Sequence, residues 1–251
     1  TGHLRIDLVR SGIATWCKGS SRMIMDRHGA GRPSPAMVLF DIAGTLVGDT
    51  GLTMSAYRSV LEDEGMPFDA GWLRDRIGCQ KLAVFAELLR MHDRDVVAAG
   101  RLADRFASSI NASIMDDPPP VLPGVHETFS ILHDHGCGIG LVTGFHASTA
   151  RCLQEVSGWS PDVIVGSDEV AEGRPAPDLV LEAMRRFGIE RVDDVAVVGD
   201  TPRDLMMASA AGCGWGVGVS TGPYTADELR AHPHTSILAS MEDLPRDLDV
   251  V

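Results

Sequence analysis

Beyond residue 35, the chain alternates short apolar runs with longer segments of helical period. The runs are MVLF (37–40), IGLVT (139–143), VIVG (163–166), VAVVG (195–199) and WGVGV (215–219). They carry almost no polar position to face water, which is the pattern of parallel strands buried on both faces. Between them, HETFSILHDH (126–135), APDLVLEAMRRFG (176–188) and RDLMMASAAG (203–212) repeat apolar residues three and four apart. The last two close on a glycine suited to the left-handed residue that follows a helix. The run GCGWGVG (212–218) has the look of a glycine-rich nucleotide loop, but it does not follow a strand and open a helix, so it reads as a strand. Strand and helix in alternation predict an α/β fold built on a doubly wound parallel sheet.

Residues 51–117 interrupt the rhythm. SAYRSVLEDEG (55–65), KLAVFAELLRMH (81–92) and DVVAAGRLADRFASSI (95–110) are helical in period with no strand between them, and PPP at 118–120 marks a stiff return. The expectation is a Rossmann-like core over residues 36–50 and 118–251, with an all-helical cap inserted over 51–117. Residues 1–35 carry six basic residues against two acidic ones and end in GAGRPSP. They read as a flexible extension outside the fold, with a basic arm for a partner as the alternative.

Charge narrows the ligand. The net charge is −13, and the extension's +4 leaves −17 over the remainder. Nucleic acid and anionic membranes are disfavoured, because their binding needs clustered Lys and Arg. No run approaches the ~18 apolar residues of a membrane span, and residues 1–20 lack a signal-peptide core. Five cysteines, Cys17, Cys79, Cys137, Cys152 and Cys213, are odd in number and widely spaced. They form neither a disulfide framework nor a zinc motif, and a reduced, cytoplasmic setting fits. The oligomeric state is left open.

In an open α/β sheet, ligands bind at the carboxyl ends of the strands. Each apolar run here leads into a distinct polar group: Asp41-Ile-Ala-Gly-Thr45, Thr143-Gly144, Gly173-Arg174-Pro175 and Asp200-Thr-Pro-Arg-Asp204. A carboxylate, a hydroxyl, a cation and a carboxylate pair converging on one rim match the needs of phosphoryl transfer, where the attack is in line and the equatorial oxygens must be neutralised. Asp41 is the expected nucleophile, forming an aspartyl-phosphate that water later hydrolyses. Crowded carboxylates on a phosphate require a hard cation, so Mg²⁺ is expected on Asp41, the backbone carbonyl of Ala43 and Asp200. Arg174, Thr143 and the backbone at Gly144 are expected to bind the phosphoryl oxygens. Gly44 would let the chain approach closely, Thr45 would brace the loop or orient Asp41, and Asp204 would orient Arg174 or Lys81 or accept from a metal-bound water. His146 reads as a surface histidine, Cys79 as an apolar filler, Met206 and Met207 as core or helix-face residues, and Asp168 and Glu169 as loop or helix-start charges.

Taken together, DIAGT, LVTGF, GRPAP and VGDTPRD, in this order over about residues 37–220, resemble the four motifs of the haloacid dehalogenase superfamily. That resemblance implies a Mg²⁺-dependent phosphohydrolase acting on a small phosphorylated metabolite. Most phosphatases of the superfamily carry a second Asp where this chain has Ala43, and that Asp protonates the leaving group. Ala43, together with Lys81 in Ile-Gly-Cys-Gln-Lys, resembles the phosphonatase-like branch, where a cap lysine forms a Schiff base with phosphonoacetaldehyde and carbon–phosphorus cleavage needs no such acid. The match is incomplete. Val84 stands where that branch has a histidine, Gly48 stands where it has an Asp, with Asp49 shifted by one, and Thr45-Leu46-Val47 replaces its Thr-Thr-Val. A phosphate ester is therefore the leading expectation and carbon–phosphorus cleavage the first alternative. Dehalogenation, which needs no magnesium, and a non-catalytic phosphate-binding homologue are the others.

Overall fold

The computed structural model describes residues 34–48 and 50–251. Asp49 and residues 1–33 of the expected extension lie outside the described residues. Six strands form one parallel sheet: β1 (Met37–Phe40), β2 (Gly138–Val142), β3 (Val163–Val165), β4 (Val195–Gly199), β5 (Trp215–Val219) and β6 (Ser236–Leu238). Their spatial order is β3-β2-β1-β4-β5-β6. The winding direction reverses beside β1, the place where a doubly wound sheet opens its ligand crevice.

Alternation along β1 explains why both faces must be covered. Val38 and Phe40 join one apolar cluster with Ile139, Leu141, Ala196 and Val198. Met37 and Leu39 face the other way, into a cluster with Val142, Val195 and Val197. Helices α5 (Val125–Asp134) and α6 (Ala147–Ser157) cover the first cluster, while α7 (Asp178–Phe187) and α8 (Pro202–Ala211) cover the second. Two short helices, α9 (Ala226–Arg230) and α10 (Leu244–Asp247), complete the C-terminal third.

Between β1 and α5 the described chain forms helices α1 (Leu52–Asp63), α2 (Ala70–Arg74), α3 (Lys81–Met91) and α4 (Ala99–Asp116). In α1 the buried residues Thr53, Ala56, Tyr57, Val60 and Leu61 fall at three- and four-residue spacing, one stripe of a helix. That stripe meets α4, which also packs on α3 and α6. Tyr57, Phe85 and Phe106 knit α1, α3 and α4 together with ring centroids 4.7–6.2 Å apart, and Phe106 stacks at 6.4 Å on Phe145 at the sheet's rim. The outgoing and returning chains are tied to each other, Gly48 N donating to Pro120 O and Leu122 N to Leu46 O, both at 2.9 Å.

The strands agree with the apolar runs to within a residue at either end, the latitude normal for element boundaries. Strand β6 and helices α2, α6, α9 and α10 were not foreseen. No helix among the described residues is long and apolar enough to cross a membrane.

Tyr57 is fully buried, yet its hydroxyl has no hydrogen-bond partner among the described residues. A buried unpaired hydroxyl costs about 1–3 kcal/mol. Tyr57→Phe is therefore expected to stabilise the fold by about 1 kcal/mol, seen as a higher midpoint in thermal or urea unfolding. A lower midpoint would show that the hydroxyl has a partner.

Candidate active site

Strand register puts the polar residues at one level. Phe40 sits opposite Leu141 on β2 and Val198 on β4, so Asp41, Thr143 and Asp200 all leave the sheet at the same rim. Asp41 N still donates to Val198 O at 2.9 Å and Thr143 N to Val165 O at 3.2 Å, so the ladder holds both backbones past the strand ends. Arg174 enters on the loop after β3. Its Nη2 donates to Asp41 Oδ1 at 2.8 Å, and its Nη1 bonds Asp204 Oδ1. Carboxylate oxygens of Asp41, Asp200 and Asp204 lie within 4.8 Å of one another. All four side chains are buried.

Short side chains hold this cluster in place. The Thr201 N–H and hydroxyl donate to Asp204 Oδ2 at 3.1 and 2.6 Å, which also caps α8 and makes Asp204 part of the helix's first turn. Thr45 donates to Asp200 Oδ1 at 3.1 Å, so the carboxylate it orients is Asp200 and not Asp41. Gly44, at φ +83°, packs its Cα against Asp200, and Gly222 closes on the same carboxylate from the other side; a Cβ at either position would collide with Asp200 Oδ2. Thr221 Oγ1 donates to Gly44 O at 2.6 Å. The sequence reading missed Thr221 and Gly222, although they follow the apolar run of β5 just as the recognised groups follow theirs.

Burial and mutual repulsion set the electrostatics. Loss of solvent raises the Asp41 carboxyl above its ordinary range; Arg174 pulls it down and Asp204 pushes it up. Asp200 is raised further, first by burial and then by Asp41 and Asp204, against the pull of the Thr45 hydroxyl. Burial would lower the Arg174 pKa, but Asp204 and Asp41 outweigh it and hold the guanidinium charged. Three carboxylates with one guanidinium between them form an acidic pocket, and this donor set fits a hard divalent cation. Asp204 is already engaged by Arg174 and Thr201, which leaves Asp200 and the free oxygen of Asp41 as the available carboxylate donors, with Ala43 on the same cavity wall.

Lys81 completes the site from the helical side. It is 1 % exposed and lines one cavity with Asp41, Ala43, Thr143, Gly144 and Arg174, with about 20 Å³ of room between them. Its Nζ donates to Cys79 O at 3.1 Å and lies 5.1–5.6 Å from the ring centres of Phe145, Phe106 and Tyr57, in cation–π range. No carboxylate forms an ion pair with it among the described residues. Burial lowers its pKa to about 8, with Cys79 and Asp41 pulling it back up and Arg174 pushing it down. His146, expected at the surface, is instead tucked against α4, with Nδ1 3.9 Å from Asp104 Oδ1.

The haloacid dehalogenase-like hydrolase family matches residues 36–212. The chain belongs to that family. The hydrolase is 35 % identical over 201 residues to the probable phosphatase IndB of Dickeya dadantii, covering 78 % of this chain and 85 % of the relative. It is 31 % identical to the phosphonoacetaldehyde hydrolase of Parabacteroides distasonis over 206 residues, covering 74 % and 76 % of the two chains. In fold it resembles a hydrolase from Pseudomonas syringae, with a TM-score of 0.74, 24 % identity and coverage of 86 % of this chain and 99 % of the other.

A buried lysine with a depressed pKa carries a stability cost of known sign. Between about pH 8 and the model-peptide value of 10.5, the unfolded chain binds the extra proton, so stability rises with pH across that window. Replacing Lys81 by Met removes the cost, on the order of 2–3 kcal/mol below pH 8. The hydrolase variant Lys81→Met is expected to melt several degrees higher at pH 7, with the gain fading towards pH 10.5. An equal or lower Tm at pH 7 would contradict the burial of the charge.

Proposed function

We propose that this hydrolase is a Mg²⁺-dependent phosphohydrolase of small phosphorylated metabolites, working through an aspartyl-phosphate on Asp41, with residues 51–117 acting as a cap over a core formed by 36–50 and 118–251. The observation that carries this reading is the buried Asp41–Arg174–Asp204 bridge with Asp200 within 4.8 Å. Arg174 holds Oδ1 of Asp41, which fixes the carboxylate in place for attack on phosphorus. The phosphorus–oxygen bond to the leaving group breaks as the bond to Asp41 forms, and the departing oxygen takes its proton from the Lys81 ammonium on the same cavity or from water, since Ala43 has none to give. Water then attacks the aspartyl-phosphate, releasing phosphate and restoring Asp41. The Thr143 hydroxyl and the N–H groups around Gly144 donate to the phosphoryl oxygens. Asp41, Asp200 and the Ala43 carbonyl would hold Mg²⁺, which would supply positive charge against those oxygens. The phosphatase among the relatives supports this reading. The expected result is phosphate release from a panel of small phosphate esters that requires Mg²⁺ and falls by about 10³-fold or more in Asp41→Asn. Undiminished turnover in that variant would rule out the covalent route.

A second reading is favoured by Lys81. Its amine lacks a carboxylate partner among the described residues and lies on the Asp41 cavity, and a phosphonoacetaldehyde hydrolase is among the relatives. Condensation of the amine with an aldehyde expels water and gives an iminium. As the phosphoryl group passes to Asp41, the electrons of the broken carbon–phosphorus bond flow into that iminium to give an enamine, so no acid is needed at Ala43. With phosphonoacetaldehyde and borohydride, Lys81 is expected to be trapped irreversibly. Trapping should rise with pH as the amine loses its proton and level off above about pH 8. Absence of a labelled Lys81 peptide at pH 8 would reject this reading in favour of the ester.

A further inference from the structure

Residue 80 begins helix α3, a position where Ser, Thr, Asp or Asn ordinarily caps the exposed N–H groups. Here it is Gln80, and its side chain makes no capping bond. It reaches across to the sheet's rim instead. Its Nε2 donates to Ser167 O at 2.6 Å and to Val170 O at 3.5 Å, two carbonyls in the loop that runs on to Arg174. Ser167 in turn donates its hydroxyl to Gly144 O at 3.0 Å, beside Thr143. A second bond runs the opposite way: Arg203, next to Asp204, donates Nη2 to Asp75 O at 2.8 Å.

Segment 75–80 therefore rests on the two loops that carry Thr143 and Arg174 and on the first turn of α8, which carries Asp204. The surfaces meet closely at two glycines. A Cβ on Gly173 would stand 2.7 Å from the Cβ of Gln80, and one on Gly144 would collide with Gly78 O. The segment is stiff within itself, because Arg76 bonds both oxygens of Glu87 on α3, donates to Trp72 O on α2 at 3.1 Å and lies 3.6 Å over the Trp72 ring. It is fastened to its own helices by several bonds and to the rim by the side chains of Gln80 and Arg203.

We propose that Gln80 and Arg203 are positioning residues that latch segment 75–80 shut over Asp41, and that release of this latch admits the substrate and delivers Lys81, the residue after Gln80, into and out of the site. The latch rests on the reading of residues 51–117 as a cap, not on which bond is cleaved. A cavity of about 20 Å³ has room for little more than one water molecule, so substrate entry requires the segment to lift.

The chain has two lysines, Lys18 and Lys81, so access can be read without any substrate. The rate at which the bulky amine reagent trinitrobenzene sulfonate labels Lys81, normalised to Lys18 and followed by peptide mass spectrometry in the full chain, measures opening. The variants are Gln80→Glu, which has the same shape but presents a carboxylate to two carbonyls, Gln80→Ala, and Arg203→Met on the core side. A single net hydrogen bond shifts an open–closed balance about two- to tenfold. Lys81 labelling is therefore expected to accelerate about threefold or more in Gln80→Ala and Arg203→Met, and further in Gln80→Glu. On any ester turned over by the parent, KM should change more than kcat. Labelling in Gln80→Glu equal to that of the parent would overturn the role of Gln80. If that variant does not fold, Arg203→Met decides alone, and unchanged Lys81 labelling there overturns the latch. Absence of any turnover would count against the proposed activity and leave the labelling result standing.

Discussion

A single guanidinium lies between two buried carboxylates, with a third close by, and the rest of the molecule is arranged around that contact. Arg174 joins Asp41, at the end of β1, to Asp204, on α8, across the point where the sheet reverses its winding. Taking these charges out of water costs several kcal/mol per ion, and their attraction repays the cost only when the geometry is good and the remaining lone pairs are bonded. That condition accounts for the neighbours. Thr201 satisfies the free oxygen of Asp204, Thr45 bonds Asp200, and Gly44 and Gly222 leave room for the Asp200 carboxylate between two backbones. The parallel sheet, apolar on both faces, fixes the three strand ends to which these groups are attached. The cluster remains short of positive charge after all of these contacts, which is the physical reason for expecting it to recruit a cation and a phosphoryl group together.

The core supplies this charge arrangement and little else. Ala43 offers no proton to a leaving group, and the cavity wall beside it is completed by Lys81 and by aromatic rings. Two of the three rings near the Lys81 amine come from α1 and α4, and the third, Phe145, comes from the rim. The amine is thus buried by joining the two parts of the structure. Its lowered pKa follows from burial among residues of α1, α4 and the rim and not from α3 alone.

How much of this was legible in the sequence differs between elements. The strands β1 to β5 were visible because each is a short, wholly apolar run, and the residues after them were visible because chemistry at strand ends follows from topology. Strand β6 was not, since Ser236–Leu238 is only partly buried at the sheet's edge and leaves a weaker apolar signature. Helix α6 was missed because ASTARCLQEVS interleaves small and polar residues, and its buried positions, Ala147, Thr149, Ala150 and Leu153, do not stand out as an apolar stripe. Thr221 and Gly222 could have been found by applying the strand-end rule to β5 as well. The partner of Thr45 could not, because its choice between Asp41 and Asp200 depends on a loop turning at Gly44.

The same contrast explains where specificity resides. Arg174 joins Asp41 to Asp204 and Thr45 holds Asp200 beside them, so a change at any of these groups disturbs its neighbours. Lys81 has no such commitment: among the described residues its amine donates to a backbone carbonyl and lies over three ring faces. A group held this loosely in electrostatic terms is free to meet an ester oxygen, a carboxylate or a carbonyl carbon. On the proposed phosphoryl-transfer reading, the choice among them would fall to the walls that segment 75–80 and α1 present beside Asp41, and the rim would supply only the charges that hold phosphorus.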